Sequence, residues 1–170
     1  MRDGSQSGRA REATFVVVVA IWLGMLVGVS FLATSAKFLA PSLTLPVALD
    51  VGRHTFAVFN QVEWAFAAIS LLIFVIGARA WTIGAALAVA IALLLAETVW
   101  LLPALDARVG MIIAGQQPPP SQLHILFITF EAIRVVALLI AVGDAARRLA
   151  DVPPSRASRS FSQDAGAAAR

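Results

Sequence analysis

Apolar residues in this chain neither alternate with polar ones nor recur as an amphipathic stripe; they run on. Four stretches, 15–36, 56–76, 81–102 and 123–143, are almost wholly hydrophobic. Each reaches the ~20 residues that a helix needs to cross a hydrocarbon core of ~30 Å. The pattern predicts an all-α protein, an integral membrane four-helix bundle. Residues 1–14 read as an N-terminal tail and 15–146 as the four-span domain. The stretch 147–170, rich in Pro, Ser, Arg and Ala, lacks the apolar content to fold and reads as a disordered tail. Arg2, Arg9 and Arg11 ahead of an apolar run imitate a secretory signal, with Thr34-Ser35-Ala36 as small residues for cleavage. The run is longer than the ~7–15 residues of a signal core, so a retained first span is expected.

The connections carry their own signals. Pro46 suits the first turn of a helix, where its missing N–H costs nothing, so 46–55 should be helical and run into span two with a bend at Gly52. After span three Pro103 should kink the chain, and Leu105, Val109 and Ile112 continue at helical spacing over 104–114. Gln116-Gln117-Pro118-Pro119-Pro120 should end that extension, and Ser121 can cap span four. Both extensions are expected to project from, or lie flat on, the outer face. Two ladders of small side chains, Ala20/Gly24/Gly28 and Gly84/Ala88/Ala92/Ala96, are expected to bring helices close together.

Composition supports the membrane reading and narrows the rest. Hydrophobic residues make up 59% and charged residues only 14%, against about 25% charged in soluble domains. The chain has no cysteine, which removes disulfides, thiolate metal sites and a cysteine nucleophile. A single Lys and a single Asn amid abundant Ala, Val and Arg suggest a GC-rich bacterial genome. The arginines are scattered, without interleaved aromatics, so no nucleic-acid partner is expected; the lipid bilayer is the expected partner, with a homo-oligomer or a larger membrane complex left open. Outside the spans, nine Lys/Arg fall on the side of the termini (Arg2, Arg9, Arg11, Arg79, Arg147, Arg148, Arg156, Arg159, Arg170). Three (Lys37, Arg53, Arg108) fall on the other. That asymmetry places both termini in the cytoplasm and the protein in the bacterial inner membrane, with Trp81 and Trp100 at the two interfaces of span three.

Against this background four ionisable residues stand out inside the spans: Glu63, Glu97, Glu131 and Arg134. A charge at the centre of a membrane helix costs about 2.5–3.5 kcal/mol on insertion scales. At a rise of ~1.5 Å per residue, Glu63, Glu131 and Glu97 lie roughly 10, 12 and 8 Å below the outer surface, with Arg134 near the midplane. His124, Glu131 and Arg134 share one helical stripe, and Asn60 neighbours Glu63 on span two. His54 points away from Glu63 and pairs better with Gln61. Glu63, Glu97, Glu131, Arg134, Asn60 and His124 therefore form a candidate ion or proton site, a polar pocket open outward. Three carboxylates against one arginine leave two excess negative charges, suited to a hard cation or a transferable proton. The plainer alternative is an internal salt bridge around Arg134, with a spare carboxyl kept neutral by burial. Other readings are an accessory or scaffold subunit of a larger complex and a haem protein ligated by His54 and His124. No cofactor is otherwise implied, no metal is specified, and no catalytic residue is assigned. Phosphate-loop, nucleophile-elbow and His-Glu-x-x-His patterns are all missing, which leans against an enzyme.

Trp22-Leu23-Gly24, the segment from Phe56 to Glu63, Leu102-Pro103, and Leu123-His124-Ile125-Leu126-Phe127 with Glu131 resemble a family of small bacterial membrane proteins. That family, of unknown function, is similar to transmembrane protein 205. The resemblance runs over roughly 21–142. It implies four helices and an inner-membrane location, and brings no activity.

Overall fold

The structure, a computed structural model, describes residues 3–77 and 80–151. Among them all the regular elements are helical: α1 (Asp3–Leu26), α2 (Thr34–Ala36), α3 (Leu45–Ile76), α4 (Trp81–Ala96), α5 (Leu102–Ile113) and α6 (Leu123–Asp151). A π-helical segment, Val27–Ala33, joins α1 to α2, a short 3₁₀ turn, Lys37–Leu39, follows, and a second π segment, Glu97–Leu101, joins α4 to α5. The result is four rods, Gln6–Leu39, Leu45–Ile76, Trp81–Ile113 and Leu123–Asp151, each long and apolar enough to cross a membrane. At ~1.5 Å per residue the rods exceed a ~30 Å hydrocarbon core, so each has turns to spare. The end that carries the connections 40–44 and 114–122 is called the loop end, and the other the terminal end.

Both expected extensions are helical, and the residues that shape them differ in part from the sequence reading. Thr44 is extended, Pro46 lies in the first turn, and α3 then runs unbroken through Gly52. Gly52 marks a close approach and no break in the helix: a Cβ there would lie 2.3 Å from Lys37 Nζ. On the third rod, the Pro103 ring would clash with the carbonyl four residues back. The widened π turn Glu97–Leu101 lies just there and takes up the misfit. The α5 helix ends before the prolines, at Gly115 in the left-handed region (φ 77°). Gly115 N–H donates to Ile112 O at 3.0 Å and Gln116 N–H to Met111 O at 2.9 Å, a Schellman closure. Ser121 Oγ accepts from Leu123 N–H at 3.1 Å, the cap expected for the fourth rod.

At the terminal end, helix already begins at Asp3, and α6 runs on to Asp151, five residues into the stretch assigned to a tail. Arg148 supports that last turn from Asp144 at 3.0 Å. The remainder of the tail, 152–170, lies outside the described residues, as do Arg2 and Arg79. Arg11 Nη1 donates to Ile76 O at 2.9 Å and so satisfies one of the open carbonyls at the end of α3.

The bundle closes along a seam between α4 and α6. Ile83, Ala86, Leu87, Ala90 and Leu94 are buried on α4, and Ala137, Leu138, Ala141 and Ala145 on α6, which packs on both α4 and α1. This corrects the expected ladders. A Cβ at Gly24 or Gly28 would meet nothing within 4 Å, and Ala20, Ala88 and Ala92 are exposed. Of the ladder glycines Gly84 does make a tight approach, under the ring of Phe74. Alanines two residues out of phase with the predicted ladder do the packing, because Leu87 and Leu94 fix which face of α4 turns inward.

Candidate functional site

Arg134 projects from the middle of α6 and is 0% exposed. Its Nη1 donates to Glu131 Oε1, one turn back on the same helix, at 3.0 Å. The same Nη1 pairs with Glu97 Oε2, and Nη2 pairs with Glu63 Oε1. The three carboxylates come from α3, the α4–α5 π turn and α6. All are buried, and one oxygen from each lies within 4.8 Å of the others. The guanidinium fork is what makes this convergence feasible: it presents five donors in a plane and is always charged.

Two local features hold the carboxylates. Glu97 is the first residue of the π turn, so the geometry that accommodates Pro103 also aims Glu97 at α6. Trp22, fully buried on α1, donates its indole N–H to Glu63 Oε1 at 3.1 Å. Next to this layer, Thr98 Oγ1 donates to Leu94 O at 2.7 Å and accepts from Asn60 Nδ2 at 2.9 Å and Trp64 Nε1 at 3.0 Å. Its hydroxyl has one donor and two acceptor positions, and all three are used.

The carboxylate layer, by contrast, is not fully satisfied. Glu97 Oε1, Glu131 Oε2, Arg134 Nε and Ser30 Oγ are buried without a well-aligned hydrogen bond, although Ser30 and Glu97 both lie within hydrogen-bonding reach of the Glu131 carboxyl. A buried orphan on an ionised group costs more than the roughly 1–3 kcal/mol of a neutral one.

A cavity of ≈ 450 Å³ adjoins this layer toward the loop end. Ser30 and Thr98 line its inner part, and Lys37, Arg53, Asp106 and His124 are the remaining titratable groups on its wall.

Of the six residues singled out from the sequence, four meet: Glu63, Glu97, Glu131 and Arg134. Asn60 hydrogen-bonds in the adjacent Thr98 network and to none of the four. His124 is exposed on the cavity wall. His54 is 70% exposed on its side chain, and its Nδ1 lies 2.9 Å from Asp50 O, one turn back, instead of meeting Gln61. It does not line the cavity that His124 lines, so the structure brings no His pair together there. The sequence reading overlooked Trp22 and Ser30 as site residues. A mid-span Trp needs a partner for its indole N–H, and that need was the available signal. Ser30 had none.

The three carboxylates have the donor set of a hard-cation site. Their shared centre, however, is taken by Arg134, so a metal ion would have to displace a guanidinium that contacts all three. A proton displaces nothing. No family model, no curated protein and no solved structure matches the chain.

Proposed function

We propose that the protein is a four-span protein of the bacterial inner membrane, with both termini cytoplasmic, that binds exchangeable protons at the Glu63/Glu97/Glu131/Arg134 cluster. Membership of the family similar to transmembrane protein 205 is part of the proposal, on the segments quoted above. The observation that carries the functional reading is charge balance in full burial. One guanidinium faces three carboxylates, and Glu97 and Glu131, within hydrogen-bonding reach of each other, each keep an oxygen without a well-aligned donor. With all four groups ionised, the cluster would hold two uncompensated negative charges at a depth where each unpaired ion costs several kcal/mol. Protonation removes a charge and turns an orphan oxygen into a donor. The cavity approaches the cluster from the loop end, which is the outer end in this topology, as far as Ser30 and Thr98. Toward the terminal end, the α4–α6 seam is apolar, so the reading is of a proton-binding site and not of a through-channel.

Potentiometric titration of the purified protein in lipid nanodiscs tests this. Wild type should exchange protons that the Glu97→Gln/Glu131→Gln double variant does not, with no dependence on added sodium or calcium. Superimposable titration curves, once the variant is shown to be folded, would end the proton reading. Stabilisation by a metal ion that the double variant loses would replace it with the cation reading.

A further inference from the structure

The cavity at the loop end carries chemistry that the carboxylate cluster does not use. Its wall is mainly apolar, built from Phe31, Phe38, Leu49, Phe56, Leu102 and Phe127. Its ≈ 450 Å³ falls in the range of about 300–1,000 Å³ of small-molecule pockets, room for a hydrocarbon chain. Two cations reach the lining, and they are not equivalent. Arg53 is held by Asp50 at 2.8 Å and by Asp106 at 3.7 Å, so its charge is answered within the protein. Lys37 has no carboxylate within ion-pair distance among the described residues.

The position of Lys37 also differs from that of a lysine that only marks a membrane edge. Such a side chain extends its ammonium outward into water along an apolar stem. Here the ammonium is turned inward on to α3, over Gly52, whose missing side chain makes the space. It lies 5.2 Å from the centroid of the Phe38 ring. The arrangement is an apolar chamber with one unanswered positive charge set in its wall.

We infer that this cavity binds one molecule of a single-chain amphiphile with a carboxylate head, such as a long-chain fatty acid. The carboxylate pairs with Lys37 Nζ and the chain lies against Phe56, Leu102 and Phe127. The binding needs no proton on the buried cluster, so it stands or falls apart from the function proposed above.

Trp64 is a built-in reporter, since its indole N–H bonds to Thr98 on the cavity wall. The experiment uses the full chain in phosphatidylcholine nanodiscs, at a pH where the acid is ionised. The probes are a chain-brominated fatty acid and the brominated alcohol of equal length. The acid should quench tryptophan fluorescence saturably at one molecule per protein, with the alcohol at least tenfold weaker. Lys37→Gln should bring the acid down to the level of the alcohol, and Lys37→Arg should keep the preference. Val109→Phe, which fills the cavity, should weaken both probes. Equal quenching by acid and alcohol in the wild type overturns the inference without any variant. Quenching that never saturates, or a preference that survives in a folded Lys37→Gln protein, overturns it as well.

Discussion

On the stretches that carry Ala90, Ala137, Ala141 and Ala145 the third and fourth rods pack in unbroken α-helix, and these four alanines are buried. Farther toward the loop end the same two rods face each other with Glu97, Glu131 and Arg134. There the helical geometry changes: π segments occupy Val27–Ala33 and Glu97–Leu101, four buried polar atoms of that layer lack a well-aligned hydrogen bond, and a cavity opens. Where side chains are small and apolar, van der Waals contact alone closes the bundle, and regular helices suffice. Where charges are buried, each group must be aimed: a π turn sets Glu97, while Glu63, Glu131 and Arg134 are presented from regular α-helix. The first half is built to stay shut. The second half holds unsatisfied groups behind a cavity whose lining stops at Ser30 and Thr98, and ionisable residues inside a membrane bundle are candidates for function by default.

Breaking the charged half should cost most. Arg134→Leu leaves three buried carboxylates without their cation, and chemical denaturation in detergent should show a loss of about 3–5 kcal/mol. If pairing is the cause, adding Glu63→Gln or Glu97→Gln to Arg134→Leu should recover part of that loss; a strictly additive double variant would contradict it.

Trp22→Phe keeps an aromatic ring but trims its size and removes the donor to Glu63, a hydrogen bond to a charged group worth about 1.5–3 kcal/mol. A variant as stable as wild type would show that Glu63 needs no support beyond Arg134.

In the apolar half, Ala141→Leu overpacks a residue that is 0% exposed and should cost about 1–3 kcal/mol. The same change at Ala92, which is exposed, should be near neutral. If the two positions behaved alike, the choice of the Ala86/Ala90 seam over the expected Gly84/Ala88/Ala92 ladder would be wrong.

The smallest effect is expected at Ser70, a fully buried hydroxyl with no partner on the apolar stretch of α3. Ser70→Ala should be neutral or stabilising, by up to about 1 kcal/mol, since an unpaired hydroxyl is removed with little change in volume. A clear loss of stability would mean that this half holds a polar contact of its own.

These contrasts also separate what the sequence could tell from what it could not. Four rods follow from run length, because a bilayer-length apolar stretch has few other solutions. The meeting of Glu63, Glu97, Glu131 and Arg134 follows from depth, since charges at one level on different helices have only each other for company. Facing is harder. With lipid outside and side chains inside equally apolar, Ala88 and Ala86 look alike in sequence, and only the placement of Leu87 and Leu94 separates them. Asn60 and His124 share a stripe with the charged residues but lie nearer the loop end, and at that height one joins the Thr98 network and the other the cavity wall. The π turns left no local signal beyond Pro103, and Gly52 signalled a bend where it in fact makes room for Lys37.

Infrared difference spectroscopy of the purified protein in nanodiscs tests the central claim most directly, because a protonated carboxyl has a carbonyl band that a carboxylate lacks. The account predicts that the wild type at neutral pH shows such a band, shifted in deuterated water. The band should diminish in Glu97→Gln and in Glu131→Gln, each still folded. If all the carboxyl signal at neutral pH is ionised, or the band is indifferent to both substitutions, the cluster is not a proton-binding site and Arg134 is only its structural pin.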